Sequence, residues 1–115
     1  MKTEVVVEAL SALAQESRLA LFRLLVKRGP EGYPAGDIAE RLDIPAPTLS
    51  FHLKTLLHAG LVRARKDSRF IYYSANFDHM TSIVDFLTEH CCSLATECPP
   101  GGCAKPASAT RRKSA

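Results

Sequence analysis

A chain of 115 residues is one domain's worth; about 65% of the unfolded surface is buried at this size, enough for one core and too little for two. The formal charge of +3 is laid out unevenly: residues 1–104 hold 11 Lys and Arg against all 12 acids, and the last eleven residues hold the other four bases, so overall charge argues little about partners. No stretch approaches the roughly 18 apolar residues of a membrane span, and Glu4 and Glu8 break up the N-terminal apolar run, so no membrane partner and a cytosolic location are expected.

Residues 4–14 place Val6, Leu10 and Leu13 at helical spacing. A second helix is expected from about Ser17 to Arg28, where Arg18, Arg23 and Lys27 form a narrow polar stripe on an otherwise apolar cylinder, the mark of a central helix. Gly29 and Pro30 end it, Glu31 to Tyr33 reads as loop, and Pro34 to Leu42 restarts as a short helix with Ile38, Ala39 and Leu42 inward. Asp43 to Ala46 is a turn into another helix, and the pair makes a helix-turn-helix.

That helix runs from Pro47, whose missing N–H costs nothing in a first turn, to Ala59, with Gly60 just past its end. Leu49, Leu53, Leu56 and Leu57 fall at i, i+4, i+7 and i+8, one stripe that must pack on something. Phe51 and His58 point away from it, beside Pro47, Ser50, Lys54 and Thr55. A polar, weakly basic face with one exposed aromatic suits a DNA major groove, where hydroxyls and Lys meet phosphates or base edges and an apolar group meets a thymine methyl. The plainer alternative is a solvated helix whose Phe51 covers a neighbour. Within residues 46–72 five bases (Lys54, Arg63, Arg65, Lys66, Arg69) stand against one acid, Asp67, a local excess suited to a polyanion.

Leu61 to Lys66 alternates apolar and basic residues, and Phe70 to Ser74 is rich in aromatic and β-branched residues, so two strands are expected with Lys66 to Arg69 as the hairpin tip. A helix-turn-helix followed by a hairpin is a winged helix. The expected fold is therefore mainly α with a small β-hairpin, and Arg65, Lys66 and Arg69 on the wing would lie near phosphates or a minor groove. A solvated hairpin with ordinary surface charges is the alternative. A last helix from about Phe77 to Cys92 sets Met80, Ile83, Val84, Leu87 and Cys91 along one stripe with no partner in a winged-helix core already complete. The first and last helices are accordingly expected to pair with their copies in a homodimer that presents two recognition helices to a palindromic site. The domain layout expected is 1–93 for DNA binding and dimerisation, 94–103 for a cysteine-bearing segment, and 104–115 for a disordered basic tail.

Cys91, Cys92, Cys98 and Cys103 cluster within 13 residues, and in the cytosol they are expected as thiols suited to metal or redox chemistry. Thiolates are soft ligands and favour thiophilic ions over magnesium or calcium. Helix neighbours point about 100° apart, so Cys91 and Cys92 converge only if the helix frays there. Four cysteines suit a tetrahedral zinc site, three suit trivalent arsenic or antimony, and two suit a redox-sensing pair; C-C-x5-C-x4-C does not choose among them. His79 and His90, eleven apart with Asp78 and Glu89 adjoining, suggest either a zinc site or surface residues of an amphipathic helix, the second being the plainer reading. His52 flanks the buried stripe and His58 is exposed, so neither is a natural catalytic base. With no glycine-rich phosphate loop and no convincing Cys/His pair, an enzyme is not expected.

Leu13 to Leu19, Asp37-Ile38-Ala39, Pro47 to Leu56, Ala59-Gly60-Leu61-Val62 and the wing ending Tyr72-Tyr73 together resemble the ArsR/SmtB family of metal-responsive repressors, over about residues 5–92. The resemblance implies a winged-helix dimer that binds operator DNA without effector and releases it when effector binds. It implies DNA contacts from Pro47, Thr48, Ser50, Phe51 and Lys54, with Arg65 and Arg69 on the wing. Pro34 and Gly36 stand where many arsenical repressors of the family carry a C-x-C pair. The family's interfacial zinc pattern is broken, since Asp78 and His79 are adjacent and Ser93 follows His90, and Ala46 replaces the usual polar residue before Pro-Thr. Glu89-His90-Cys91-Cys92 with Cys98 resembles the subgroup that binds arsenite through C-terminal cysteines. Trivalent arsenic, with antimony as a second effector, is thus expected on Cys91, Cys92 and Cys98, and a zinc or thiol-oxidation sensor is the alternative.

Overall fold

The computed structural model describes residues 1–96. In chain order these form α1 (Thr3–Leu13), α2 (Glu16–Arg28), β1 (Tyr33–Pro34), α3 (Ala35–Leu42), α4 (Ala46–His58), β2 (Val62–Asp67), β3 (Phe70–Ala75) and α5 (Phe77–Thr88). The architecture is the expected one, a mainly α winged helix-turn-helix, with an antiparallel sheet of strand order β1-β3-β2. Two compact units are present, Met1–Ile83 and the part from Val84 onward.

The core of the first unit is aliphatic. Leu21 and Leu25 of α2, Ile38 of α3, Leu49 and Leu56 of α4, and Leu61 before β2 are its largest fully buried side chains. Fully burying one such side chain contributes about 1.5–3 kcal/mol, so α4 is fixed from below by its leucine stripe. The turn that aims it is built from Asp43, left-handed at φ 55°, and Ile44, whose N–H donates to Ala39 O at 3.1 Å. Gly60 follows α4 at φ 81°, as expected of a residue past a helix end.

Several local expectations give way. Helix α1 buries Val6, Ala9 and Ala12, leaving Leu10 exposed, because its small residues bring the backbone close and rotate the stripe by one position. Helix α2 buries Leu21, Phe22 and Leu25 and exposes Leu19, so it is central on one side only. Tyr33 and Pro34, expected as loop and helix start, form a third strand in register with Tyr73 and Tyr72. Gly32 permits it: at φ 71°, a side chain there would collide with the Tyr73 carbonyl.

The last helix ends at Thr88, four residues before the expected Cys92. The Thr88 hydroxyl donates back to Val84 O at 2.9 Å, and His90 and Cys92 both take left-handed φ of 61°, which a continuing helix forbids.

Candidate nucleic-acid interface

Helix α4 separates its faces by chemistry. Leu49, His52, Leu53 and Leu56 are buried, whereas Pro47, Thr48, Ser50, Phe51 and Lys54 are exposed on the other side. Phe51 is 62% exposed, so it does not serve as a lid on a neighbouring element. Its ring tilts against His52 with centroids 5.9 Å apart and borders an open groove of about 540 Å³ between α1 and α4. Across that groove His58 Nε2 meets Glu8 at 3.2 Å, a largely exposed pair worth little.

Beneath the helix lies a polar joint absent from the sequence reading. Arg18, expected on a narrow polar stripe, donates from Nε to Ala12 O at 2.6 Å and from a terminal nitrogen toward His52 Nδ1 at 3.4 Å. One guanidinium thus ties the end of α1 to α2 and to the underside of α4. His52 is only 7% exposed, and burial, then the Arg18 charge, hold its pKa below the ordinary 6.5. It is neutral at pH 7 and accepts at Nδ1, leaving the proton on Nε2.

Just past the C-terminal end of α4, Asn76 donates from Nδ2 to Gly60 O at 2.9 Å and accepts from His79 N at 3.3 Å, so it caps α5 and draws its first turn against Gly60. His79, expected as a surface residue, is consequently half-buried, with Nε2 enclosed and lacking a hydrogen-bond partner among the described residues. A Cβ at Gly60 would sit 3.3 Å from that nitrogen. His90 is exposed. Asn followed by an apolar periodic stretch is the one signal that announces this cap.

In the wing, Asp67 pairs with Phe70, so Ser68 and Arg69 form a two-residue turn, with Ser68 at φ 62°. Arg65 is more constrained than expected. It donates to Glu31 O at 2.9 Å, reaches Asp67 at 3.4 Å and lies 5.0 Å over the Tyr72 ring. Arg63 meets Asp78 at 3.5 Å. Lys66 and Arg69 are exposed and meet no carboxylate among the described residues. Two further arginines escaped the sequence reading: Arg28 and Arg41 lie 4.8 and 4.5 Å from the Tyr33 ring centre, an arrangement that needs β1 to position the ring.

Past α5, Cys91 N donates to Thr88 O at 3.0 Å, and the left-handed residues His90 and Cys92 turn the chain so that the Cys91 and Cys92 sulfurs approach to 3.5 Å. Both side chains are half-buried. Among the described residues no three His, Cys, Asp or Glu side chains converge as a metal site; Cys98, Cys103 and residues 104–115 lie outside them.

The fold and this interface define a winged helix-turn-helix transcriptional regulator. A family model described as a helix-turn-helix domain matches residues 13–65. An uncharacterized HTH-type transcriptional regulator of Methanocaldococcus jannaschii is 32% identical over 88 residues, covering 76% of this chain and 97% of that protein. The similar regulator YceK of Bacillus subtilis is 46% identical over 67 residues, covering 58% of this chain and 66% of its own. The arsenical resistance operon repressor of Bacillus subtilis is 29% identical over 92 residues, 80% of this chain and 83% of that one. Among solved structures, an ArsR-like transcriptional regulator from Rhodococcus sp. RHA1 superposes with a TM-score of 0.66 at 26% identity, covering 73% and 76% of the two chains. The chain belongs to the ArsR/SmtB-like superfamily of DNA-binding transcriptional regulators, and it is a regulator rather than an enzyme. Among the described residues no helix is long and apolar enough to cross a membrane.

Proposed function

We propose that the protein is a homodimeric repressor that binds operator DNA and releases it when trivalent arsenic, or antimony, is held by Cys91, Cys92 and Cys98. The observation that carries this reading is the 3.5 Å approach of the Cys91 and Cys92 sulfurs immediately past α5. Two soft donors this close suit a thiophilic centre, and a trivalent arsenical supplies the affinity for thiolate sulfur that hard cations lack. The similarity to an arsenical resistance operon repressor supports the same assignment.

Val7 and Leu10 of α1 are exposed, and so, in the second unit, are Val84 and Leu87; each pair is apolar surface that the same helix of a second copy would cover. Pro47, Thr48, Ser50, Phe51 and Lys54 face the major groove, and Arg65 and Arg69 lie on the wing. Gathering the three cysteines tightens the chain past Thr88 and shifts the last helices at the interface. The two recognition helices then no longer match the half-site spacing. A coupling of about 1–3 kcal/mol loosens DNA 5- to 150-fold.

Fluorescence anisotropy on promoter duplex, with arsenite, antimonite, zinc and hydrogen peroxide added separately to reduced protein, tests the reading. Release by arsenite or antimonite is expected, and both Cys91→Ser and Cys98→Ser abolish it. Release by zinc or peroxide alone, or arsenite release undiminished in Cys98→Ser, contradicts the three-thiolate site.

A further inference from the structure

The wing carries apolar side chains where a merely basic hairpin needs none. Strand partners share a face, and successive residues alternate, so the register fixes where each points. Val62 pairs with Ala75 on the face that enters the core, and both are buried. That face continues through Ala64 and Tyr73 to Lys66 and Ile71, which have run past the core; Ile71 is 45% exposed. The opposite face carries Arg65 with Tyr72 and ends in Asp67 with Phe70, which is 53% exposed. The tip therefore shows an aromatic ring beside Asp67 on one side and a branched aliphatic beside Lys66 on the other, with Arg69 in the turn that joins them.

We infer that Phe70 and Ile71 form an apolar wedge that the wing sets into the minor groove, with Phe70 against the sugars and base edges of one step. The occupant is duplex DNA because the flanking charge is cationic on balance: Lys66 and Arg69 are exposed and meet no carboxylate among the described residues, and behind them stand Arg63 and Arg65, paired with Asp78 and Asp67. Cations hold the phosphate walls while apolar groups enter between them, and inserted apolar side chains unstack and kink a base step. Arg65 supports the wedge from below. Its bond to Glu31 O and its stacking on Tyr72 tether the hairpin, so the tip does not swing away. The consequence is sequence preference without base hydrogen bonds, since flexible pyrimidine–purine steps under the wing deform more readily than stiff A-tracts. This inference rests on DNA binding by α4 but not on the identity of any effector.

The test uses the full chain and duplexes of about 30 base pairs that it selects from a random pool, with affinity measured across a salt series. Phe70→Ser is expected to weaken binding about tenfold with the salt slope unchanged, because no cation is lost, and to erase preference for a flexible step beneath the wing. Phe70→Leu keeps most of both. Arg69→Ala instead lowers the salt slope by about one per wing on the DNA, about two for a dimer. Wild-type affinity and step preference in Phe70→Ser overturn the wedge while leaving the regulator intact. Wild-type protein that selects no duplex overturns both. Phe70→Ser that binds DNA normally but changes the sedimenting mass assigns the patch to a protein contact and overturns the wedge as well.

Discussion

Helix α4 and the turns past α5 are made in opposite ways. The helix rests on four buried side chains, Leu49, His52, Leu53 and Leu56, and is tied at its middle, where Arg18 joins His52 to α1 and α2, and just past its C-terminal end, where Gly60 accepts from Asn76. From Glu89 to Thr96 the chain makes backbone bonds from Cys91, Ser93 and Ala95 to residues three positions back in place of a helical ladder, and two non-glycine residues sit left-handed within it. A left-handed non-glycine residue costs about 1–2 kcal/mol. A reader of DNA has to be rigid before it meets its target, whereas a segment that gathers around an effector has to rearrange at low cost.

The widest separation between the two regions is in stability. Leu56→Ala, at a fully buried position, is expected to destabilise by about 2–5 kcal/mol in urea unfolding, whereas the fully exposed Leu94→Ala stays within about 0.5 kcal/mol. Equal effects would remove the contrast. Gly32→Ala comes next: the left-handed backbone and the collision with the Tyr73 carbonyl cost about 1–3 kcal/mol, read in the same titration.

Lys54→Ala, on the exposed face of α4, is expected to leave the unfolding midpoint unchanged and to lower the salt slope of DNA binding by about 1.8, since a dimer loses two such contacts. A lower midpoint with an unchanged slope would return Lys54 to the scaffold.

The smallest effect is one of pH. Because the folded-state pKa of His52 is depressed, the unfolded chain binds this proton more readily than the folded one. Its contribution is complete above pH 6.5 and is lost as pH falls from there toward the depressed folded value. Thermal melts from pH 7.5 to 5.5 should therefore decline more steeply for wild type than for His52→Gln. Parallel declines would mean that the Arg18–His52 joint does not discriminate between protonation states.

The helix-turn-helix and the hairpin were legible because their signals are local. Pro47, the leucine stripe and Gly60 bound one helix, and the alternation of Arg63 and Arg65 with apolar residues marks a strand. β1 was not, since two residues carry no periodicity and its existence depends on Gly32 approaching a strand some forty positions away. The roles of Arg18, Arg65 and His79 were missed for a related reason. A charged residue reads as solvated until the fold brings a carbonyl, a ring or a cap to it, as Ala12 O, Tyr72 and Asn76 do here. The end of α5 was misplaced because Cys91 continues the apolar stripe, while what stops the helix is backbone at His90 and Cys92 that no side-chain pattern encodes.

The most direct measurement counts accessible thiols and DNA-bound protein in the same tube as arsenite is added to the reduced complex. The three-thiolate account predicts that anisotropy falls as three thiols per chain are lost together, saturating near one arsenite per chain. Loss of the thiols with DNA still bound, or release of DNA with the thiols untouched, would contradict it.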